Sequence, residues 1–287
     1  IPKIVGVDLG GRRLIKKKVK FVTSCPVCGA ELRRIDGEAA WFCPNKYECT
    51  PQITGKIEHF VGRHMMNIDG IGEEVAQLLY TSGLVKNIAD LYDLTEEKLM
   101  TLDRFKEKSA RRIINGIEDS KKVPFERVIF ALSIPFVGET TAKVLAGAAH
   151  NIDTLMAMNE LQLSSIGEIG DKIAHSIVDF FSLDFNRTII ERLRLAGVQM
   201  EISEEELQNK TDKLAGKSIV ISGTFAHHSR DEYKKMISQN GGKNVSSISA
   251  KTDFVFAGEN MGPAKLEKAQ KLGIPIINED EFLKMIE

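Results

Sequence analysis

Ile68-Asp69-Gly70-Ile71-Gly72-Glu73-Glu74-Val75-Ala76 combines an apolar pair around a tight turn, a small residue, and the start of an amphipathic run. Related stretches recur every 32 to 34 residues. They read Leu102-Asp103-Arg104-Phe105-Lys106-Glu107-Lys108-Ser109-Ala110, Ile134-Pro135-Phe136-Val137-Gly138-Glu139-Thr140-Thr141-Ala142 and Ile166-Gly167-Glu168-Ile169-Gly170-Asp171-Lys172-Ile173-Ala174. Such a period marks an array of like supersecondary units. Gly70 and Gly72 let the backbone turn sharply and come close to a ligand. The helix that follows offers unpaired N–H groups and the positive end of its dipole. Phosphate oxygens fit that arrangement without any reading of bases. The third and fourth copies keep only the second glycine, as Gly138 and Gly170, and the second has Arg104 and Lys106 instead. Those two side chains either reach a phosphate or belong to a hairpin that only packs.

Together these features are the pattern of the helix-hairpin-helix unit, and pairing such units lets one domain grip both strands of a duplex. The residues expected at DNA are Gly70, Gly72, Arg104, Lys106, Lys108, Gly138, Thr140, Gly170 and Lys172. Two other glycine patterns carry nothing. Gly70-x-Gly72 lacks both the third glycine and the preceding strand of a dinucleotide site. Gly216-Lys217-Ser218 lacks the first glycine of a phosphate loop.

All four cysteines of the 287-residue chain fall between positions 25 and 49. Cys25-Pro26-Val27-Cys28 is followed by Cys43 and Cys49. Two close pairs joined by a short spacer suit a tetrahedral zinc site, and four thiolates leave no open position, so the metal is structural. Two disulfides are the rival, but nothing at the start resembles a signal peptide. So short a segment buries little, and the metal supplies most of its stability.

The formal net charge of −1 gives no global basic field. Lysines and arginines cluster instead at the start: Lys3, Arg12, Arg13, Lys16, Lys17, Lys18 and Lys20 against Asp8. No apolar run is long enough to span a membrane, and a soluble, cytoplasmic, monomeric protein is expected. Ile1-Pro2-Lys3-Ile4-Val5 reads as a strand already under way, as in a segment of a longer chain. The six histidines are scattered, and the carboxylates form no magnesium-binding group, which argues against a nuclease or polymerase accessory.

An acidic, polar stretch at 197–213 reads as a linker. Beyond it strands at Ser218–Ser222, 243–247, Phe254–Ala257 and 274–277 alternate with helices at 230–240, 263–272 and Glu279–Ile286, predicting a small parallel sheet with flanking helices. With Gly216-Lys217, Ser222-Gly223-Thr224-Phe225 and Gly241-Gly242, this segment resembles a BRCT domain, Phe282 filling the place of a common tryptophan. The resemblance makes Ser222, Thr224 and Lys265 a candidate phosphate pocket.

The order of parts resembles the C-terminal half of bacterial NAD-dependent DNA ligases, most closely in Ile1–Val5, Cys25-Pro26-Val27-Cys28-Gly29 with Glu38-Ala39-Ala40 and Cys43-Pro44-Asn45, and Phe136-Val137-Gly138-Glu139-Thr140. The resemblance implies the end of an OB-fold at 1–22, a zinc finger at 23–56, a helix-hairpin-helix domain at 57–196, a linker at 197–213 and a BRCT domain at 214–287. In that family NAD, magnesium and the adenylated lysine of a Lys-x-Asp-Gly motif belong to the full-length enzyme. Arg34-Ile35-Asp36-Gly37 is no substitute, because a guanidinium stays protonated. The chain is therefore expected to hold nicked duplex DNA and to perform no covalent step. The alternative is a non-catalytic repair adaptor that binds DNA by its hairpins and a protein partner through the BRCT domain.

Overall fold

The computed structural model describes Gly6 and residues 21–34, 40–203 and 211–286. The OB-fold end expected over 1–22 lies outside them, apart from Gly6, Phe21 and Val22. Two compact units make up the chain, Ile1–Glu201 and Ile202–Glu287.

The first unit opens with a two-stranded antiparallel ribbon, β1 (Arg33–Arg34) against β2 (Trp41–Phe42). Helix α1 (Thr50–Val61) starts directly after Cys49, with a proline in its first turn, where the missing N–H costs nothing. It runs through residue 56, so the cysteine segment and the first hairpin share one helix. Its buried Ile53, Ile57 and Phe60 recur at helical spacing.

Four helical hairpins follow. They pair α1 with α2 (Glu73–Thr81), α3 (Glu96–Met100) with α4 (Glu107–Ser120), α5 (Phe125–Ala131) with α6 (Glu139–Ala149), and α8 (Glu160–Ser164) with α9 (Asp171–Ser182). The connectors show that the repeat is a doubled pair. A 3₁₀ turn, Ile88–Asp93, joins hairpins one and two, and α7 (Ile152–Ala157) joins three and four. The same Asn-Ile step opens both. The Asn87 side chain accepts from the Ala89 N–H and that of Asn151 from the Thr154 N–H, each satisfying a donor at the helix start. Helix α10 (Asp184–Leu195) then spans both pairs. Arg192 donates to Asp90 at 2.7 Å and to Asp93 in the first connector, and Arg194 donates to Asp153 in the second.

The second unit is a four-stranded parallel sheet in the order β4-β3-β5-β6. Its elements run β3 (Ser218–Ser222), α11 (Arg230–Gln239), β4 (Lys243–Asn244), β5 (Phe254–Ala257), α12 (Pro263–Lys271), β6 (Ile276–Ile277) and α13 (Glu279–Ile286). The outer strands are shorter than the expected 243–247 and 274–277. Each has a neighbour on one side only, so pairing ends where the chain peels away. Gly241 takes a φ of +78° after α11, the left-handed stop expected there. Fully buried Phe282 stacks on Phe256 with centroids 4.3 Å apart, so it does fill the core. Burial alone would raise the Glu279 carboxyl. Hydrogen bonds from the Tyr233 hydroxyl and the Ala226 and His227 N–H groups hold it down at about 2 instead.

Candidate functional site

The four sulfur atoms converge within 4.8 Å of one another. Cys25 Sγ and Cys49 Sγ are 3.8 Å apart, and Cys28 Sγ and Cys43 Sγ 3.5 Å. Four thiolates at ~2.3 Å from a tetrahedral metal would have edges of about 3.8 Å, so the cluster fits one ion of that kind. The first knuckle closes through the Gly29 N–H to the Cys25 carbonyl and the Cys25 N–H to the Ala30 carbonyl, and Gly29 takes a φ of +73°. The second is braced by Gln52, whose amide donates to the carbonyls of Cys43 and Asn45. Backbone N–H groups of Cys28, then Val27, pull the Cys25 thiol down to about 6, while burial, then its neighbours, push Cys49 up to about 12. Crowding four sulfurs together thus works against ionising all of them, and a bound cation would relieve it. Cys49 is also the N-cap of α1, so whatever holds the sulfurs sets the start of the first hairpin. On the outer side Tyr47 packs edge-on to Phe185 of α10, with centroids 4.5 Å apart.

In all four hairpins the residue at the second glycine position is the N-cap of the second helix. Gly72 caps α2, Lys106 α4, Gly138 α6 and Gly170 α9, and none donates or accepts through a side chain of its own at that cap. The first intrahelical bonds run from Ala76 to Gly72, Ser109 and Ala110 to Lys106, Ala142 to Gly138, and Ile173 and Ala174 to Gly170, and the N–H groups that precede them in each first turn have no place in the helix ladder. The three glycines have φ of −103°, −91° and −86°, which any residue adopts, and a Cβ added to any of them would meet open space. Neither backbone nor packing requires glycine there. At Gly70 both do. Its φ is +92°, and a Cβ would lie 3.1 Å from Ile113.

All the residues expected at DNA are exposed, and contacts join the turns that carry them. Arg104 of the second turn pairs with Glu74 at the start of α2, and Arg112 of α4 with Asp69 of the first turn, each at 2.9 Å. Lys172 of the fourth hairpin lies over the Phe136 ring of the third, 4.0 Å from its centroid. Arg127 of α5 donates to the Arg63 carbonyl near the first turn at 2.6 Å. The Glu139 carboxyl at the start of α6 is lowered by Lys143, and further by His64 and Arg127. Arg63, Arg112 and Arg127 were not among the expected residues. Arg112 follows Lys108 by one turn of the same helix, a readable signal, whereas Arg63 and Arg127 come to the turns only through tertiary packing. Among the acids of these first helical turns, Glu74, Glu107 and Glu139 each hold an arginine or lysine, while Asp171 accepts from the Ser164 hydroxyl.

Comparison with known families follows the same division. Residues 24–50 match the NAD-dependent DNA ligase C4 zinc finger domain, 62–119 the SAM-like helix-hairpin-helix tandem, 127–190 the helix-hairpin-helix motif, and 209–286 the BRCA1 C Terminus (BRCT) domain. The chain is 58% identical over 287 residues to a DNA ligase of Phocaeicola vulgatus and 58% over 286 to that of Bacteroides fragilis. It is 48% identical over 287 residues to that of Porphyromonas gingivalis. All of this chain is covered, with 43% of each relative. Over its whole length the chain is similar to DNA ligases, and its cysteine segment to the zinc finger of the NAD-dependent ones.

It spans less than half the length of the ligases it matches. The adaptor alternative is not favoured, since the relatives bearing this succession of domains are named DNA ligase. Among the described residues no helix is long and apolar enough to cross a membrane. In the unit that matches the BRCT domain, Ser222 is buried at the end of β3 and Thr224 donates its hydroxyl to the Glu259 carbonyl at 3.1 Å. The two N–H groups of Thr224 and Glu259 also cross-bond the carbonyls of that pair. Lys265 is half-buried in the first turn of α12.

Proposed function

We propose that this chain holds nicked duplex DNA for a ligase that draws on NAD and magnesium through parts outside these residues, and that one structural zinc, on Cys25, Cys28, Cys43 and Cys49, steadies the first hairpin. The observation that carries the proposal is the set of three glycines, 72, 138 and 170, at helix starts where nothing inside the molecule needs glycine. A missing side chain that neither strain nor packing explains leaves room for something outside. Backbone amides at a dipole's positive end select an anion, and contacting turns extend the site along a polyanion. Arg104, Lys106, Lys108, Thr140 and Lys172 add side-chain donors, and their cationic members make the affinity fall with salt.

The test is binding of the chain to nicked and intact duplexes of several sequences at two salt concentrations. Sequence-independent binding that weakens with salt is expected, together with a loss of about tenfold in Gly138→Val. Equal affinity in the wild type and that variant would remove the amide turns from the interface. Metal analysis should return one zinc per chain. Cys43→Ser should lose it and fray the start of α1, and a variant that kept its zinc would overturn the ligand set.

A further inference from the structure

Phe136 stands where the first hairpin has Gly70, and its φ is +66°. A bulky side chain takes that conformation only at a cost. Burial does not offset the cost, since Phe136 is 48% exposed. The ring is nonetheless held in place. Lys172, the second residue of α9 in the next hairpin, sets its ammonium 4.0 Å from the ring centroid, a cation–π contact between two neighbouring turns. Two residues further along lies Gly138, with open space on its outer side. An apolar ring is thus fixed at the surface between two helix starts whose first amides have no place in the helix ladder.

We propose that Phe136 is a nucleic-acid contact. Its ring lies against a deoxyribose of the strand whose phosphates the Gly138 and Gly170 turns receive, and Lys172 orients it while facing the adjoining phosphate. A sugar is the apolar surface that a backbone-binding site meets between phosphates, so the contact adds affinity without reading sequence. The inference rests on the duplex-holding proposal above and extends it to a side chain that no motif glycine or cationic residue predicts.

The experiment measures binding of the whole 287-residue chain to a fluorescently labelled nicked duplex by anisotropy across a salt series. Five proteins are compared: wild type, Phe136→Gly, Phe136→Leu, Lys172→Gln and Gly138→Val. Glycine accepts the positive φ, so Phe136→Gly keeps the turn, and circular dichroism should show an unchanged helical signal. Its affinity should fall about tenfold, with the slope of log affinity against log salt unchanged because no charge is lost. Phe136→Leu, which keeps an apolar surface, should recover part of the loss. Lys172→Gln should lower the magnitude of that slope by about one. Wild-type affinity in Phe136→Gly, with Gly138→Val weakened, would overturn the role of the ring and leave the amide turns standing. A wild-type chain that fails to bind at low salt would overturn both.

Discussion

The two hairpin pairs build the same turn by different means. In the first pair the left-handed position is Gly70, whose missing side chain also makes room for Ile113. In the second pair that position holds Phe136 and Glu168, at φ of +66° and +71°, so the turn keeps its shape without glycine. The ties beneath the turns differ as well. Arg112 reaches Asp69 by an exposed side-chain pair, while Ser176, at the corresponding place in α9, donates to the Pro135 carbonyl at 2.8 Å from a buried position. The packing beneath the turn imposes its shape, and glycine is one way of meeting that demand. The second glycine position teaches the opposite. Gly72, Gly138 and Gly170 keep a residue that the interior never asked for, and the proposal of an outside ligand rests on that.

The sharpest way to break this comparison is to exchange the solutions. Gly70→Val places a β-branched side chain at a φ of +92° and drives its Cβ toward Ile113. Strain and overpacking together should cost roughly 3 kcal/mol, read as a lower denaturant midpoint for the helical signal. Phe136→Gly runs the exchange backwards and should leave that midpoint unlowered, because glycine takes a positive φ freely. If both substitutions cost the same, the left-handed turn is equally tolerant in the two pairs and the distinction fails.

Much of this was legible in the residues, for identifiable reasons. The 32-to-34-residue recurrence located all four turns, because each turn combines a glycine or its substitute with an apolar pair that must be buried at fixed spacing. The cysteine spacing located the sulfur cluster, since two knuckles joined by a short spacer can bring their four Sγ atoms together. The small parallel sheet followed from alternating strands and helices, but the outer strands were over-long, because the Val245 side chain packs into the core while its N–H makes a closing bond to the Ile219 carbonyl of β3. What stayed hidden depends on distance along the chain. Arg192 meets Asp90 across 102 positions and Arg127 meets Arg63 across 64, and no local pattern encodes either. Phe136 was hidden for another reason: propensity assigns a left-handed φ to glycine, so a phenylalanine there reads as an ordinary apolar position.

The smaller test concerns the ties beneath the turns. Ser176 is 8% exposed, and Ser176→Ala would leave the Pro135 carbonyl without that partner. Losing a buried hydrogen bond of this kind costs about 1 kcal/mol. Arg112→Ala removes an ion pair whose side chains are 66% and 74% exposed. Water solvates both charges almost as well as they solvate each other, so the loss should stay within about 0.5 kcal/mol and shrink further in salt. DNA affinity should rank the two substitutions differently. Ser176 carries no charge, so Ser176→Ala acts only by loosening the Phe136–Gly138 turn, and its binding defect should be insensitive to salt. Arg112 sits one helical turn beyond Lys108 on an exposed face, so Arg112→Ala should flatten the salt dependence while scarcely moving stability. A stability loss in Arg112→Ala that matched or exceeded that of Ser176→Ala would mean that the exposed pair, and not the packing below, sets the first turn.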